Sequence, residues 1–289
     1  MTEPPALGTI EQRTIGAEIA AGGASIDQIA EFITNLMPDA VAQINAQFAP
    51  RQLVKADRHT EPLPLDKRQL SSYRTRLGTI LEYALNRYID ETIETLFGLD
   101  LRVTFAVAHE YPDFYMRDAR LTPRVRIEMK AVDADSDEQA ARFEVLKSLI
   151  QQDIDVVILI GWEWHSATLD NATPCEYPVI FSFVVVPAAE LANERDQSVV
   201  LRGGRVDPDR ILVPSKKQLG QLTPDQGNAG KILRLIHTTR QREPFALSQH
   251  ILRYLQFTHE VEKRVSNAAP VRRKTRQRKD TVDDPNTSA

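Results

Sequence analysis

Cysteine is almost absent from this chain. Cys175 stands alone among 289 residues, so no disulfide can form within it, and a reducing compartment is expected. Glycine is also scarce, at 12 residues, which excludes collagen-like and Gly-rich linker architectures. Long hydrophobic runs are missing. The strongest, Val156–Trp162 and Val179–Ala189, fall far short of the ~20 residues that cross a bilayer. Met1 to Ile10 carries no positive-then-apolar leader, so a cytoplasmic protein without membrane contact is expected. Several catalytic signatures are lacking as well. No Gly-x-Ser-x-Gly elbow occurs, and His109-Glu110 has no second histidine at zinc-helix spacing. Around Gly227–Lys231, Asp225 stands where the first glycine of a phosphate loop belongs, so no nucleotide cofactor is expected. Cys175 follows Pro174 and has no nearby histidine, which speaks against a thiol nucleophile.

What remains is globular composition, with 42% hydrophobic and 26% charged residues. The net charge of −4 conceals an asymmetry. Between Lys263 and Lys279 the chain holds Lys263, Arg264, Arg272, Arg273, Lys274, Arg276, Arg278 and Lys279 and no acid. Such a run attracts polyanions whatever the sign of the total.

Apolar spacing predicts a helix over Ser25–Phe48 broken at Pro38-Asp39, a polar connector over 49–66, and a long helix over Ser71–Leu96. Ser71 and Ser72 are its candidate caps, and Gly98 stands past its end. The period then shortens to two. Strands are expected around Leu101–Val107, Asp113–Arg117 and Val125–Val132, with a turn at Arg120–Pro123. A helix over Asp137–Gln151 follows, then apolar strands at Val156–Trp164 and Val179–Val186. This order predicts an α/β (α+β) fold with a mixed central sheet flanked by helices. Residues 203–226 read as loop, Ala229–Gln241 and Phe245–Val265 as helices, and 267–289 as a disordered tail.

The chemistry concentrates in Tyr111-Pro112-Asp113-Phe114-Tyr115 and Val125-Arg126-Ile127-Glu128-Met129-Lys130-Ala131. Glu128 and Lys130, two apart on a strand, share one face, while Ile127 and Met129 take the apolar other face. A hairpin turning near Leu121–Pro123 brings Asp113 beside Glu128. Two carboxylates so placed can hold a divalent cation, and the Lys130 ammonium can orient or activate the attacking water, or stabilise charge on a phosphorane. Asp118, ten residues before Glu128, is a rival ligand, although it falls near the turn.

Pro112-Asp113 followed by Glu128-Met129-Lys130 resembles the PD-(D/E)xK nuclease superfamily, which includes many type II restriction endonucleases. The resemblance covers roughly residues 71–165. It implies a four-stranded mixed sheet, Mg²⁺-dependent cleavage of double-stranded DNA, 5′-phosphate and 3′-hydroxyl products, and frequently a homodimer. It further implies an assisting acid on the preceding helix, where Glu82 is placed. Gln139 is a candidate phosphate contact by the same resemblance.

Arg117, Arg120, Arg124 and Arg126 flank the site and are candidate DNA contacts. Arg195–Gln197 and Arg202–Arg210 are candidate base readers, and the basic tail a source of non-specific affinity. Trp162 and Trp164 read as core. The expected division is an N-terminal helical region with connector at 1–66, a nuclease core at 67–200, a recognition or dimerisation region at 201–266 and a tail at 267–289. Other readings are a repair, phage or mobile-element nuclease on the same fold, or a non-catalytic DNA-binding protein.

Overall fold

Ser25 starts the first strongly amphipathic helix by a reciprocal cap. Its hydroxyl accepts from the Gln28 N–H at 3.3 Å, and the Gln28 side chain accepts from the Ser25 N–H at 2.8 Å. The computed structural model describes residues 10–49, 67–106, 111–134, 141–168, 174–216, 218–239 and 243–279. Two helices, α1 (Ile10–Ala21) and α2 (Ile26–Phe48), lead the chain. The break expected at Pro38 does not occur, because α2 runs through it. A proline inside a helix costs about 3 kcal/mol, but Ile33, Met37, Ala40 and Ile44 on either side are buried in one core. Their burial outweighs the lost hydrogen bond.

The long helix α3 spans Lys67–Thr92, so Ser71 and Ser72 lie inside it and do not cap it. A single π-turn, Ile93–Phe97, continues it to Gly98, whose φ of 56° is the left-handed stop that glycine allows cheaply.

Five strands then form one sheet in chain order: β1 (Leu101–Phe105), β2 (Phe114–Asp118), β3 (Pro123–Asp133), β4 (Asp155–Thr168) and β5 (Pro174–Pro187). All neighbours are antiparallel except β3 and β4, so the sheet is mixed, with five strands where the resemblance implied four. Alternation sorts the core into two layers. Ile127, Met129, Val156, Ile158 and Ile160 face α2 and α3. Val132, Val157, Leu159, Val184 and Val186 face α4 (Ala188–Leu201), α5 (Ile232–Thr239) and α6 (Gln249–Lys279). Burial on both faces is why β4 reads as an unbroken apolar run. Trp162 is buried in the first layer with Trp164 edge-on to it, as a core reading requires.

Three expectations need correction. The segment 141–151 is extended, with one 3₁₀ turn at Lys147–Leu149, and is not a helix. Phe143 donates its N–H to Gly230 at 2.8 Å, Arg142 bridges Lys231, and Phe143 is thereby buried in the second layer. Residues 203–226 are not all loop. They contain a small antiparallel sheet of β6 (Arg205–Asp207), β7 (Arg210–Pro214) and β8 (Leu222–Pro224). Helix α6 also runs on to Lys279, past the expected order boundary at 267, through a stretch rich in helix-forming Arg and Lys. Among the described residues no helix is long and apolar enough to cross a membrane.

Candidate functional site

Strand register places the two acids together. Phe114 pairs with Ile127 in the antiparallel β2–β3 ladder, so Asp113, one residue earlier, lies opposite Glu128. Asp113 Oδ2 accepts a hydrogen bond from the Met129 N–H at 2.9 Å. Lys130 Nζ sits 2.6 Å from Glu128 Oε1 and 3.4 Å from Asp113 Oδ2. From the opposite side of β3, Glu82 on α3 reaches in, and its Oε1 accepts from the Ala131 N–H at 3.1 Å. Gly78, one turn earlier, packs over Ala131. A Cβ added there would lie 3.5 Å from the Ala131 Cβ, so space alone does not demand glycine.

Asp118 has a different task. Its Oδ1 accepts from the backbone N–H groups of Arg120 and Thr122 at 2.9 Å each, and its Oδ2 pairs with Arg124 at 2.7 Å. It closes the hairpin, in which Leu121 takes a left-handed φ of 61°. Asp113, not Asp118, therefore stands beside Glu128 and Lys130.

Electrostatics mark the cluster as unbalanced. Burial pushes the Glu82 carboxyl up to about 7, against the pull of Lys130 and with the help of Asp113. Burial also raises Glu128, and the nearby Asp113 carboxylate adds to the effect. Burial opposes the Lys130 ammonium, yet Glu128, Asp113 and Glu82 outweigh it, so its pKa rises and it stays charged at neutral pH. The cluster therefore gathers three carboxyl groups around one ammonium, and two of them, Glu82 and Glu128, hold their protons more tightly than usual. A divalent cation with oxygen preference would favour the ionised form of each, so Glu82, Asp113 and Glu128 suit such an ion. Their ligand atoms do not all lie within 4.8 Å of one another.

Among the described residues, the group whose ligand atoms do lie within 4.8 Å of one another is Asp27, Glu190 and His250. Each lies in the first turn of its helix. There a carboxylate already answers the positive end of the helix dipole, and Glu190 accepts from the Ser248 hydroxyl.

The flanking arginines are largely engaged within the chain. Arg126 lies 3.3 Å from the fully buried Asp155, against the Tyr111 ring, with its side chain 11% exposed. Arg124 holds Asp118. Arg117 stacks on Tyr115 and donates to Thr104 Oγ1 and the Leu121 carbonyl. Arg126 thus acts as a structural cation. Arg195 is corrected too: it is completely buried on α4, bonded to Asp196 and to the Phe143 and Val145 carbonyls, and cannot read a base from there. Arg205 and Arg210 both pair with Asp207 on the small sheet, and Arg202 donates to the Ser198 carbonyl. Gln139, His109 and Glu110 lie outside the described residues, as do the side chains of 265–279.

Sequence reasoning missed Tyr111. Its hydroxyl donates to Asp155 Oδ2 at 2.6 Å, next to the Gln151 N–H on the same oxygen at 2.9 Å, which locks the base of β4 against the segment bearing Asp113. The tyrosine beside Pro112 was the available signal. No protein-family model matches the chain, and no curated protein matches its sequence.

Proposed function

We propose that this protein is a Mg²⁺-dependent endodeoxyribonuclease of the PD-(D/E)xK type, acting on double-stranded DNA as a site-specific, restriction-like enzyme and working as a homodimer. The observation that carries this reading is the convergence of Asp113, Glu128 and Lys130 from adjoining strands, with Glu82 entering from α3, on one cluster of three carboxyl groups and an ammonium. Glu82, Asp113 and Glu128 would hold the ion. When bound, it supplies Lewis-acid polarisation of the phosphate and a more acidic water.

The chain's own residues do the rest. Lys130, kept as an ammonium by its acidic neighbours, neutralises the charge that grows on the non-bridging phosphate oxygens. A charged amine cannot accept a proton, so electrostatic stabilisation is its role and not general-base catalysis. The Met129 N–H fixes the Asp113 carboxylate and the Ala131 N–H fixes that of Glu82, so neither reorganises during the reaction. Water attacks phosphorus and releases a proton to solvent, the bond from phosphorus to the 3′ oxygen breaks, and that oxygen takes a proton from solvent, leaving a 5′-phosphate and a 3′-hydroxyl. Support for a DNA substrate comes also from the basic run between Lys263 and Lys279.

The test is incubation of the purified protein with supercoiled plasmid and Mg²⁺, with an EDTA control. Linear product or discrete fragments that vanish in EDTA are expected. Plasmid left intact across Mg²⁺ and Mn²⁺ concentrations would overturn the reading.

A further inference from the structure

Beside the acidic cluster lies a group of exposed apolar side chains that the proposed chemistry does not use. Tyr83 follows Glu82 on α3, and Phe105 ends edge strand β1. Their rings stack with centroids 5.1 Å apart and planes 13° from parallel. Phe105 in turn leans on Phe114, its register partner, which follows Asp113. Tyr83 and Phe105 remain 48% and 59% exposed, and Ile80, one turn before Tyr83, is 51% exposed. Single exposed apolar residues need no explanation. A stacked aromatic pair does, because burying its rings elsewhere would stabilise the fold, and here both stay in water. Tyr83 adjoins Glu82, and Phe105 pairs with Phe114, the residue after Asp113, while Ala106, which follows Phe105, donates its N–H to the Asp113 carbonyl at 3.0 Å. Whatever places a phosphate on the cluster brings its neighbouring base to this edge.

We propose that Tyr83 and Phe105 form a stacking platform for an unpaired nucleobase next to the scissile phosphate, so that the preferred substrate is DNA with an unpaired nucleotide at the cut. This rests on the nuclease reading but departs from its site-specific, fully paired substrate, in favour of a nuclease of the same fold that reads DNA structure. A paired base in B-form DNA already has both faces covered by its neighbours. An unpaired base has a free π-face, and aromatic side chains bind it without regard to sequence. Tyr83 holds the platform edge by α3, and Phe105, braced on Phe114, fixes its tilt.

The experiment uses two oligonucleotide duplexes differing only in one 2-aminopurine, either paired or left unpaired in a branch. Ca²⁺ replaces Mg²⁺ for binding, and Mg²⁺ is used for cleavage. Stacking on the platform is expected to quench the unpaired probe and not the paired one. Tyr83→Ala and Phe105→Ala should each remove the quench and raise KM on the branched substrate roughly 10-fold or more, the scale of one lost base–aromatic stack. Tyr83→Phe should retain both effects, and Tyr83→Leu, apolar but unable to stack, should lose them.

Equal quenching in wild type and Tyr83→Ala overturns the platform. So does a change of oligomeric state in Tyr83→Ala by light scattering with quenching unaltered, which would make the patch a contact between copies. Glu128→Gln separates the two readings. If it cuts either duplex like wild type, the nuclease assignment fails. If it is inactive yet the Tyr83 variants behave like wild type, only the platform fails.

Discussion

The carboxylate of Asp113 is bonded to the backbone N–H of Met129 at 2.9 Å, and this contact ties the residue just before β2 to the strand carrying Glu128 and Lys130. The bond does not depend on either of those side chains. The acids are therefore positioned by backbone before any ion arrives, which is what a site held on rigid strands needs.

A divalent ion should stabilise the fold through this cluster. Mg²⁺ or Ca²⁺ at about 100 times its Kd is expected to add about 2.7 kcal/mol, read as a rise in melting temperature. Asp113→Asn or Glu128→Gln should abolish most of the rise. Asp27→Asn should leave it unchanged, because the Asp27–Glu190–His250 group lies at helix N-termini. A rise that follows Asp27 instead would move the ion to the other group.

Glu82 gives a pH signature in EDTA. Its folded-state value of about 7 stands above the ordinary 4.5, so the folded state holds the proton more tightly than the unfolded chain. The stability this contributes is complete below pH 4.5 and is lost as pH rises through 7. Glu82→Gln keeps an oxygen for the Ala131 N–H and removes the charge. The variant should be more stable than wild type by about 2–3 kcal/mol above pH 7, with the gap closing towards pH 4.5. Urea titrations at pH 5 and pH 8 measure it, and equal gaps at both would contradict the buried-acid assignment.

Arg126 separates structural from DNA-binding arginines. Asp155→Ala would strand Arg126 and the Tyr111 hydroxyl together, costing about 3–5 kcal/mol by chemical denaturation. Arg117→Ala, which loses only part-exposed contacts, should cost less than about 1 kcal/mol.

Two glycines should respond in opposite senses to alanine. At Gly230 a Cβ would stand 2.5 Å from the Phe143 carbonyl oxygen, so backbone must move. A loss of about 1–3 kcal/mol is expected in urea. At Gly78 the contact is ordinary and the residue is helical, so the same change should stabilise by up to about 1 kcal/mol. Destabilisation at Gly78 would show tighter α3 packing than described.

The hairpin that joins Asp113 to Glu128 was legible because its signals are local: alternating Phe114, Met116, Val125 and Ile127, a turn between them, and an acid at the outer end. The same locality exposed β4 and β5 as apolar runs ended by Pro187. What escaped depends on distant partners. Residues 141–151 carry apolar side chains at a spacing that suits helix, yet Phe143 is drawn into extended pairing by Gly230, more than eighty positions later. Helix α4 was hidden because its buried face carries charges, Arg195 paired with Asp196 and nearby carbonyls and Glu194 accepting from the Thr239 hydroxyl, which erases the apolar stripe. Pro38 misled for the reverse reason, since a local break signal yielded to burial on both sides. At the site, the Asp113 and Glu82 hydrogen bonds to β3 backbone had no sequence signature at all, because any residue could have supplied those N–H groups.

The central claim is tested most directly by following plasmid cleavage in Mg²⁺ with wild type, Glu128→Gln and Lys130→Met side by side, after circular dichroism shows all three folded. Cleavage by wild type and a loss of about 100-fold or more in each variant are expected. Variants that cut at the wild-type rate would show that the reaction takes place elsewhere on the molecule.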